Sequence, residues 1–364
     1  MVNNRLSNLR QEMSRLGLDA VLVSQPQNRR YLSGFTGSAG FLLITVHDAT
    51  LATDFRYTEQ ATIQAPDYVI FQITGAISNW LPELIADLNN ERLGFEDRHV
   101  TFSFYQQLYD IIKDTRPRLE LAPVEGLVEK LRAVKEPGEI EFITRASEIT
   151  DKAFEQVTDT LKVGMTEREV AWMLESRLRE LGSQTIAFDV IFASGLNAAM
   201  PHAKPSERRI QPGEPIVIDM GARFEGYCSD LTRTICLGKP DDTFKQVYNT
   251  VLKAQSAAIS GIREGMSGHD ADALARAVIE EAGHGQAFGH SLGHGVGLAE
   301  HEEPRLGPNS EDLLNANMVF SIEPGIYLTG WGGVRIEDLA VMDGNKPRLL
   351  SNAKKMDTGG LISP

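Results

Sequence analysis

Residues 216–233 read Ile-Val-Ile-Asp-Met-Gly-Ala-Arg-Phe-Glu-Gly-Tyr-Cys-Ser-Asp-Leu-Thr-Arg, and this stretch decides the architecture. Ile216, Val217 and Ile218 form the kind of apolar run that makes a buried strand, and Asp219 ends it. Arg223 to Gly226 can reverse the chain tightly and return it past Asp230. A hairpin centred on Phe224 and Glu225 sets Asp219 directly opposite Asp230. Opposed residues of an antiparallel pair share a face, with Cβ atoms roughly 4.5–5.5 Å apart. That separation suits two carboxylates clasping a metal.

The pattern recurs near the C-terminus. Glu323 opens Glu-Pro-Gly-Ile-Tyr, and Glu337 lies in Val-Arg-Ile-Glu-Asp, residues 334–338. A hairpin centred on Gly330 sets Glu323 opposite Glu337. Two ordinary hairpins with acids turned to water are the plain alternative, but matched pairs beside a histidine cluster argue against it. Four of the eight histidines, His284, His290, His294 and His301, crowd into residues 284–301. The segment from Gly289 to Gly297 is too glycine-rich for a stable helix. The His290/His294 spacing is therefore not that of a zinc-protease helix, whose glutamate is also missing.

His294, flanked by glycines that let the backbone come close, completes a set of five with Asp219, Asp230, Glu323 and Glu337. One ion needs three or four protein ligands. Five, four of them carboxylates able to bridge, fit two divalent cations about 3.5–4 Å apart. His202, in Met-Pro-His-Ala, and His301, in Glu-His-Glu-Glu-Pro, are placed as supporting or substrate-contacting groups. His47, His99, His269 and His284 carry no such signal.

The 364 residues are enough for two domains, and 42% hydrophobic with 24% charged residues is ordinary for a soluble globular chain. A formal charge of −14 argues against nucleic acid and anionic membrane as main partners. No apolar stretch approaches the roughly 20 residues that span a bilayer. The N-terminus lacks the apolar core of a signal peptide, so the cytoplasm is the expected location. Cys228 and Cys236 make no disulfide framework.

Residues 1–125 alternate strand candidates (20–23, 41–46, 68–73 and 93–95) with helix candidates (3–16, 55–64, 77–89 and 102–113). This predicts an α/β (α+β) domain with a mixed sheet and helices. Gly34 to Gly40 reads as a turn, since the lysine of a phosphate loop is absent. A second domain, 126–364, begins with a long helix near Glu136-Pro137. It carries a faint repeat: Gly164-Met165-Thr166 with Glu169 matches Gly265-Met266-Ser267 with Asp270, at an offset of 101 residues. Thr166 and Ser267 read as helix caps, and one acidic hairpin follows each helix.

These motifs, Asp219-Met-Gly-Ala, Ser229-Asp230-Leu-Thr-Arg, Gly293-His294-Gly295, Glu323-Pro-Gly and Arg335-Ile-Glu337-Asp338, make the second domain resemble the pita-bread metallopeptidases. That family includes methionine aminopeptidase, aminopeptidase P and prolidase. The first domain resembles the creatinase-like N-terminal domain of the last two. Pro201-His202 and His301 match this proline-specific branch, and Gly34 to Gly40 with Thr53 to Tyr57 leans toward aminopeptidase P. The resemblance implies a pita-bread fold of pseudo-twofold, duplicated helix–helix–hairpin units. It implies that Asp219 chelates one metal, Asp230 and Glu337 bridge both, and His294 and Glu323 complete the second. It implies that His202 and His301 contact the scissile carbonyl and oxyanion, that His290 lines the substrate site, and that Arg335 supports Glu337 or the substrate.

The expected activity is hydrolysis of the Xaa-Pro bond at the N-terminus of peptides, with prolidase action on Xaa-Pro dipeptides as the alternative. Two cations sharing a water lower its pKa and supply the attacking hydroxide. Oxygen-rich ligation favours Mn2+, with Co2+ or Zn2+ able to substitute. The resemblance also implies a homodimer. A catalytically silent peptide-binding module and a creatinase-like hydrolase are the rivals, and five retained ligands argue against both.

Overall fold

In the computed structural model, which describes residues 2–88 and 91–356, the chain divides into two units, Met1–Arg132 and Ala133–Pro364. The first unit holds β1 (Ala20–Val23), β2 (Phe41–Thr45), β3 (Ala49–Asp54), β4 (Val69–Ile73), β5 (Arg92–Glu96) and β6 (Glu120–Val124). They form one mixed sheet in the order β4-β3-β2-β1-β5-β6. Around it lie α1 (Val2–Arg15), α2 (Pro26–Ser33), α3 (Thr58–Gln64), α4 (Ile77–Leu84), α5 (Phe102–Thr115) and α6 (Leu127–Ala133). Where the sequence suggests a boundary near 125, α6 stays with this unit as far as Arg132.

Four of these elements, α2, β3, β6 and α6, escape the sequence reading. β6 contains Pro123, which argues against a strand until the topology shows it at the sheet edge, where a missing N–H costs little. α2 is short, begins on Pro26 and stops at Gly34, whose φ of 77° needs glycine. The Gly34–Gly40 turn is fastened from within its own unit. The Arg29 guanidinium donates to the carbonyls of Gly37 at 2.8 Å and Gly40 at 2.7 Å.

The second unit is built twice over. Its first half runs α7 (Pro137–Thr158), α8 (Glu167–Glu180), β7 (Thr185–Ile186), β8 (Ile191–Ser194), β9 (Pro215–Met220), β10 (Ala222–Phe224), β11 (Tyr227–Cys228) and β12 (Leu231–Cys236). Its second half runs α9 (Asp242–Gly261), α10 (Gly268–Glu281), β13 (Gly293–Gly295), β14 (Glu302–Leu306), β15 (Val319–Ile322), β16 (Gly325–Leu328), β17 (Gly332–Arg335), β18 (Asp338–Asp343) and β19 (Lys346–Leu349). The sheet β12-β9-β8 corresponds to β18-β15-β13 within β14-β13-β15-β18-β19.

The repeat shows at the helix caps. Thr166 accepts from the N–H of Glu169, whose carboxylate accepts from the N–H of Thr166. Ser267 likewise accepts from Asp270, whose shorter side chain reaches only the Ser267 hydroxyl. Ile210 then donates to the Met165 carbonyl and accepts from the Gly164 N–H, just as Leu314 donates to Met266 and accepts from Gly265. Each half has its own apolar core. Ile149, Phe154, Leu174, Phe192 and Ile218 belong to the first, and Phe244, Tyr248, Val251, Phe320 and Ile336 to the second. Each such side chain, fully buried, contributes about 1.5–3 kcal/mol.

The halves are stitched together behind their acidic hairpins. Glu337 donates its N–H to the carbonyl of Thr232 at 3.0 Å. The buried Arg233 donates to the Glu337 carbonyl and pairs with Asp338 at 2.6 Å. Within the second half, Gln255 on α9 donates to the carbonyls of Ile322 and Ile336 and to Asp338, holding that acceptor of Arg233 in place.

Candidate metal centre

The first hairpin differs in register from the sequence expectation. Thr232, not Asp230, opposes Asp219. The reversal is made by Glu225 and Gly226, with φ of 46° and 80°, one residue later than expected. A two-residue turn with both φ positive favours glycine in its second place, and Gly226 supplies it. Moving the centre by one residue moves the partners by two. Because side chains alternate with period two, Asp230 stays on the face that carries Asp219.

The second hairpin is as expected. Ile322 pairs with Asp338 and Gly325 with Arg335, one register on both sides of the interruption, which sets Glu323 across from Glu337. His294 reaches the same place on β13. A Cβ on Gly293 would lie 2.0 Å from the Ser321 carbonyl, and one on Gly295 2.1 Å from that of Glu303. Flanking glycines therefore let the β13 backbone sit between its two neighbours.

Ligand atoms of Asp230, His294 and Glu337 lie within 4.8 Å of one another. His294 Nε2 is 3.2 Å from Glu323 Oε1 and 3.7 Å from Asp230 Oδ2. Arg335 Nη2 lies 2.7 Å from Asp219 Oδ2. All five residues are inside the unit. Asp219 Oδ1 and Glu337 Oε1 are buried with no hydrogen-bond partner among the described residues. A buried carboxylate oxygen left in that state costs several kcal/mol unless a cation meets it.

The protonation preferences say the same. Burial, then the charges of Glu337, Asp219 and Glu323, push the Asp230 carboxyl well above its ordinary range. Burial and the charges of Glu323 and Asp219 do likewise for Glu337. Asp219 is raised by burial too, with Arg335 opposing. Burial also acts on Glu323, but the bond and charge of His294 outweigh it and hold the carboxyl low. Four carboxylates share this space with one arginine and one imidazole. The donor set and its orphaned oxygens fit divalent cations.

A surrounding layer orients the acids. Thr232 Oγ1 donates to Glu337 Oε2 at 2.8 Å and accepts from Arg335 Nε at 3.0 Å. Ser321 Oγ accepts from the His294 N–H and donates to Glu323 Oε1, both at 3.1 Å. Arg335 Nη1 donates to the Tyr327 hydroxyl at 2.7 Å. Having accepted from arginine, that hydroxyl turns its own proton to His290 Nε2, 3.0 Å away. His290 Nδ1 faces the Ser291 carbonyl at 2.8 Å and must carry a hydrogen. The network thus fixes a neutral tautomer, in keeping with burial lowering the His290 pKa.

Both His290 nitrogens are thereby engaged with the protein. His301 lies edge-to-face against His294, ring centroids 4.0 Å apart. Desolvation on its inner side, then the neighbouring His294, hold it down to about 4. His202 is exposed, on a loop whose Pro201 carbonyl faces Arg335 Nη1 at 3.5 Å. Glu302, beside His301, is held by the buried Lys135 ammonium at 2.8 Å. Tyr327, Thr232, Ser321 and Lys135 were missed by the sequence reading. The alternation of Gly325 and Tyr327 on β16 was the available signal for the first.

A family model for "Metallopeptidase family M24" matches residues 141–343, and one for the "Creatinase/Prolidase N-terminal domain" matches residues 5–134. The chain belongs to metallopeptidase family M24. A solved Xaa-Pro dipeptidase from Bacillus anthracis superposes on this M24 chain with a TM-score of 0.93 at 40% identity, covering 100% of this chain and 99% of the other. An Xaa-Pro dipeptidase from Pyrococcus horikoshii is 35% identical over 98% of this chain and 99% of its own. An X-Pro aminopeptidase structure from Thermotoga maritima gives a TM-score of 0.86 at 36% identity, over 95% and 99%. The two-domain fold, mixed sheet first and duplicated pita-bread unit second, is that of these M24 neighbours. The family implies a divalent metal, and the acidic cluster is where one fits. No helix among the described residues is long and apolar enough to cross a membrane.

Proposed function

We propose that this M24 enzyme is an Xaa-Pro dipeptidase that holds two divalent cations, manganese foremost, with Asp219, Asp230, His294, Glu323 and Glu337. The observation that carries the reading is the buried Asp230–His294–Glu337 cluster with orphaned oxygens on Asp219 and Glu337. Four oxygen donors and one nitrogen suit a hard ion such as manganese. Cations bound there supply an activated water and an electrophile for the substrate carbonyl.

The chain's own residues supply the rest. Arg335 and Thr232 hold Asp219 and Glu337 in place, so the acids need no rearrangement as charge develops. His202 and His301 are the donors for the carbonyl oxygen, and His301, held neutral by its surroundings, keeps one ring N–H to give to that oxygen. Tyr327 fixes the His290 ring, which lines the substrate space.

A free prolyl carboxylate needs a cation to receive it. Arg305 opposes His294 across β13 and β14, bonds to the Ser291 hydroxyl at 3.2 Å and makes no ion pair among the described residues. That arginine, and relatives described as Xaa-Pro dipeptidases, support dipeptides over the longer peptides expected from the sequence. Longer peptides remain the second reading, favoured by the X-Pro aminopeptidase neighbour.

Turnover of an Xaa-Pro dipeptide against an Xaa-Pro-Xaa tripeptide, after chelation and manganese restoration, tests the choice. Faster dipeptide cleavage is expected, and a clear tripeptide preference overturns it. A homodimer accompanies this reading and is tested by light scattering of the purified chain.

A further inference from the structure

The side chain of Glu167 is fully buried at the start of α8, yet it belongs to no core and touches none of the five acids or histidines. Its Oε1 accepts from the N–H and hydroxyl of Ser194, both at 2.8 Å. Its Oε2 accepts from the N–H of Ser206 at 3.1 Å and the Ser206 hydroxyl at 2.6 Å. Asn197 Nδ2 bridges both oxygens at 3.1 and 2.9 Å. One carboxylate thus holds the beginning, an inner turn and the end of the loop 194–206. That loop carries Pro201 and His202.

The hydrogens are fixed by the partners. Arg208 Nη1 donates to Ser194 Oγ at 2.6 Å, and the Arg208 N–H donates to Ser206 Oγ at 3.1 Å. Each hydroxyl, having accepted, has its proton to give to Glu167. The opposite side of the loop leans on the acidic hairpin. A Cβ on Gly333 would lie 2.2 Å from the Ala198 carbonyl, so β17 packs directly on the loop backbone.

The duplication shows that this clamp is peculiar to one half. The position matching Glu167 in the second half is Gly268, where a Cβ would lie 2.0 Å from the Arg305 carbonyl. The backbone relation is the same in both halves: Glu167 donates to the Arg208 carbonyl and Gly268 to that of Asp312. Only the half that carries the His202 loop has an acid there.

We infer that Glu167 is a positioning residue for His202, fixing the loop 194–206 so that the imidazole meets the substrate carbonyl without a search. This rests on the reading of His202 given above. A misplacement of about 1 Å at such a group costs roughly 10²-fold in rate.

The test uses the metal-loaded full chain and Glu167→Gln, whose amide turns a donor toward N–H groups that need an acceptor. Asn197→Ala is the milder second variant should Glu167→Gln not fold. Three readouts are taken: bound manganese, amide exchange of the loop 194–206, and kcat in wild-type and His202→Ala backgrounds. The expected result is full metal content, faster exchange confined to the loop, and a kcat loss of about 10²-fold that disappears in the His202→Ala background. For Asn197→Ala the same pattern is expected with a smaller loss. Losses that multiply with His202→Ala, or that follow lost metal, overturn the inference. So does unchanged loop exchange. If His202→Ala alone keeps full activity while Glu167→Gln frees the loop, the role of His202 falls and the positioning claim with it. If His202→Ala is impaired and Glu167→Gln behaves as wild type, only the inference falls.

Discussion

Arg335 Nη2 stands 2.7 Å from Asp219 Oδ2, an ion pair that joins an acid of the first repeat to a cation of the second. The same guanidinium donates to Thr232 and Tyr327, so all three of its edges are spent on orientation. Lysine has one ammonium in place of that planar fork. Arg335→Lys is expected to lower kcat/KM at least about 10-fold, and Arg335→Ala more, because Asp219 is then buried without its partner. Steady-state kinetics at saturating manganese check this, and wild-type behaviour of Arg335→Lys would contradict it.

Glu337 and Thr232 give a graded pair. Replacing Glu337 by Gln removes a charge from the proposed ligand set. Bound manganese should drop and hydrolysis fall by more than about 100-fold. Thr232→Val keeps the shape but removes both the donor to Glu337 and the acceptor for Arg335. Its metal affinity should weaken by about 10–100-fold with folding retained. Titration followed by elemental analysis separates the two, and an unchanged metal content in Glu337→Gln would refute the assignment.

Much of this site was legible because metal chemistry writes itself in residue types. Four acids and a histidine sit in glycine-bearing hairpins, and the turn at Gly330 fixes the register of Glu323 against Glu337 by counting alone. The first hairpin was harder. Several turns fit Arg223 to Gly226, and only the observed positive φ at Glu225 and Gly226 selects one. The error was harmless because a two-residue slip preserves the face. Thr232, Ser321 and Tyr327 were illegible for a different reason. A hydroxyl in a strand looks like any other until its partner, often a hundred positions away, is known. β3 and β6 were missed because Ala-Thr-rich and proline-bearing segments give little periodic signal.

In the proposed reading, Arg305 receives the free prolyl carboxylate. Arg305→Ala should raise KM for an Xaa-Pro dipeptide while leaving KM for the corresponding Xaa-Pro amide nearly unchanged. A charge-assisted pair of this kind is worth about 1.5–3 kcal/mol, or roughly 10–100-fold in KM. Equal effects on acid and amide would remove Arg305 from the substrate site.

Asp151 makes stability depend on pH away from the acidic cluster. It lies on α7, 8% exposed, and accepts the N–H groups of Asn352 and Ala353 at 2.8 and 3.0 Å. Desolvation outweighs these bonds and raises its pKa to about 6, from an ordinary 3.8. Between those values the folded chain holds a proton that the unfolded chain has released. Stability from this group is therefore complete below about pH 4 and is lost as pH rises through 6, by up to about 3 kcal/mol. Asp151→Asn cannot titrate there, and all other groups are common to both proteins. The stability of wild type relative to the variant, from urea unfolding at fixed manganese, should thus decline between pH 4 and 7. A difference that stays flat, or grows, would show that the two backbone donors and nearby Arg233 keep the carboxylate charged instead.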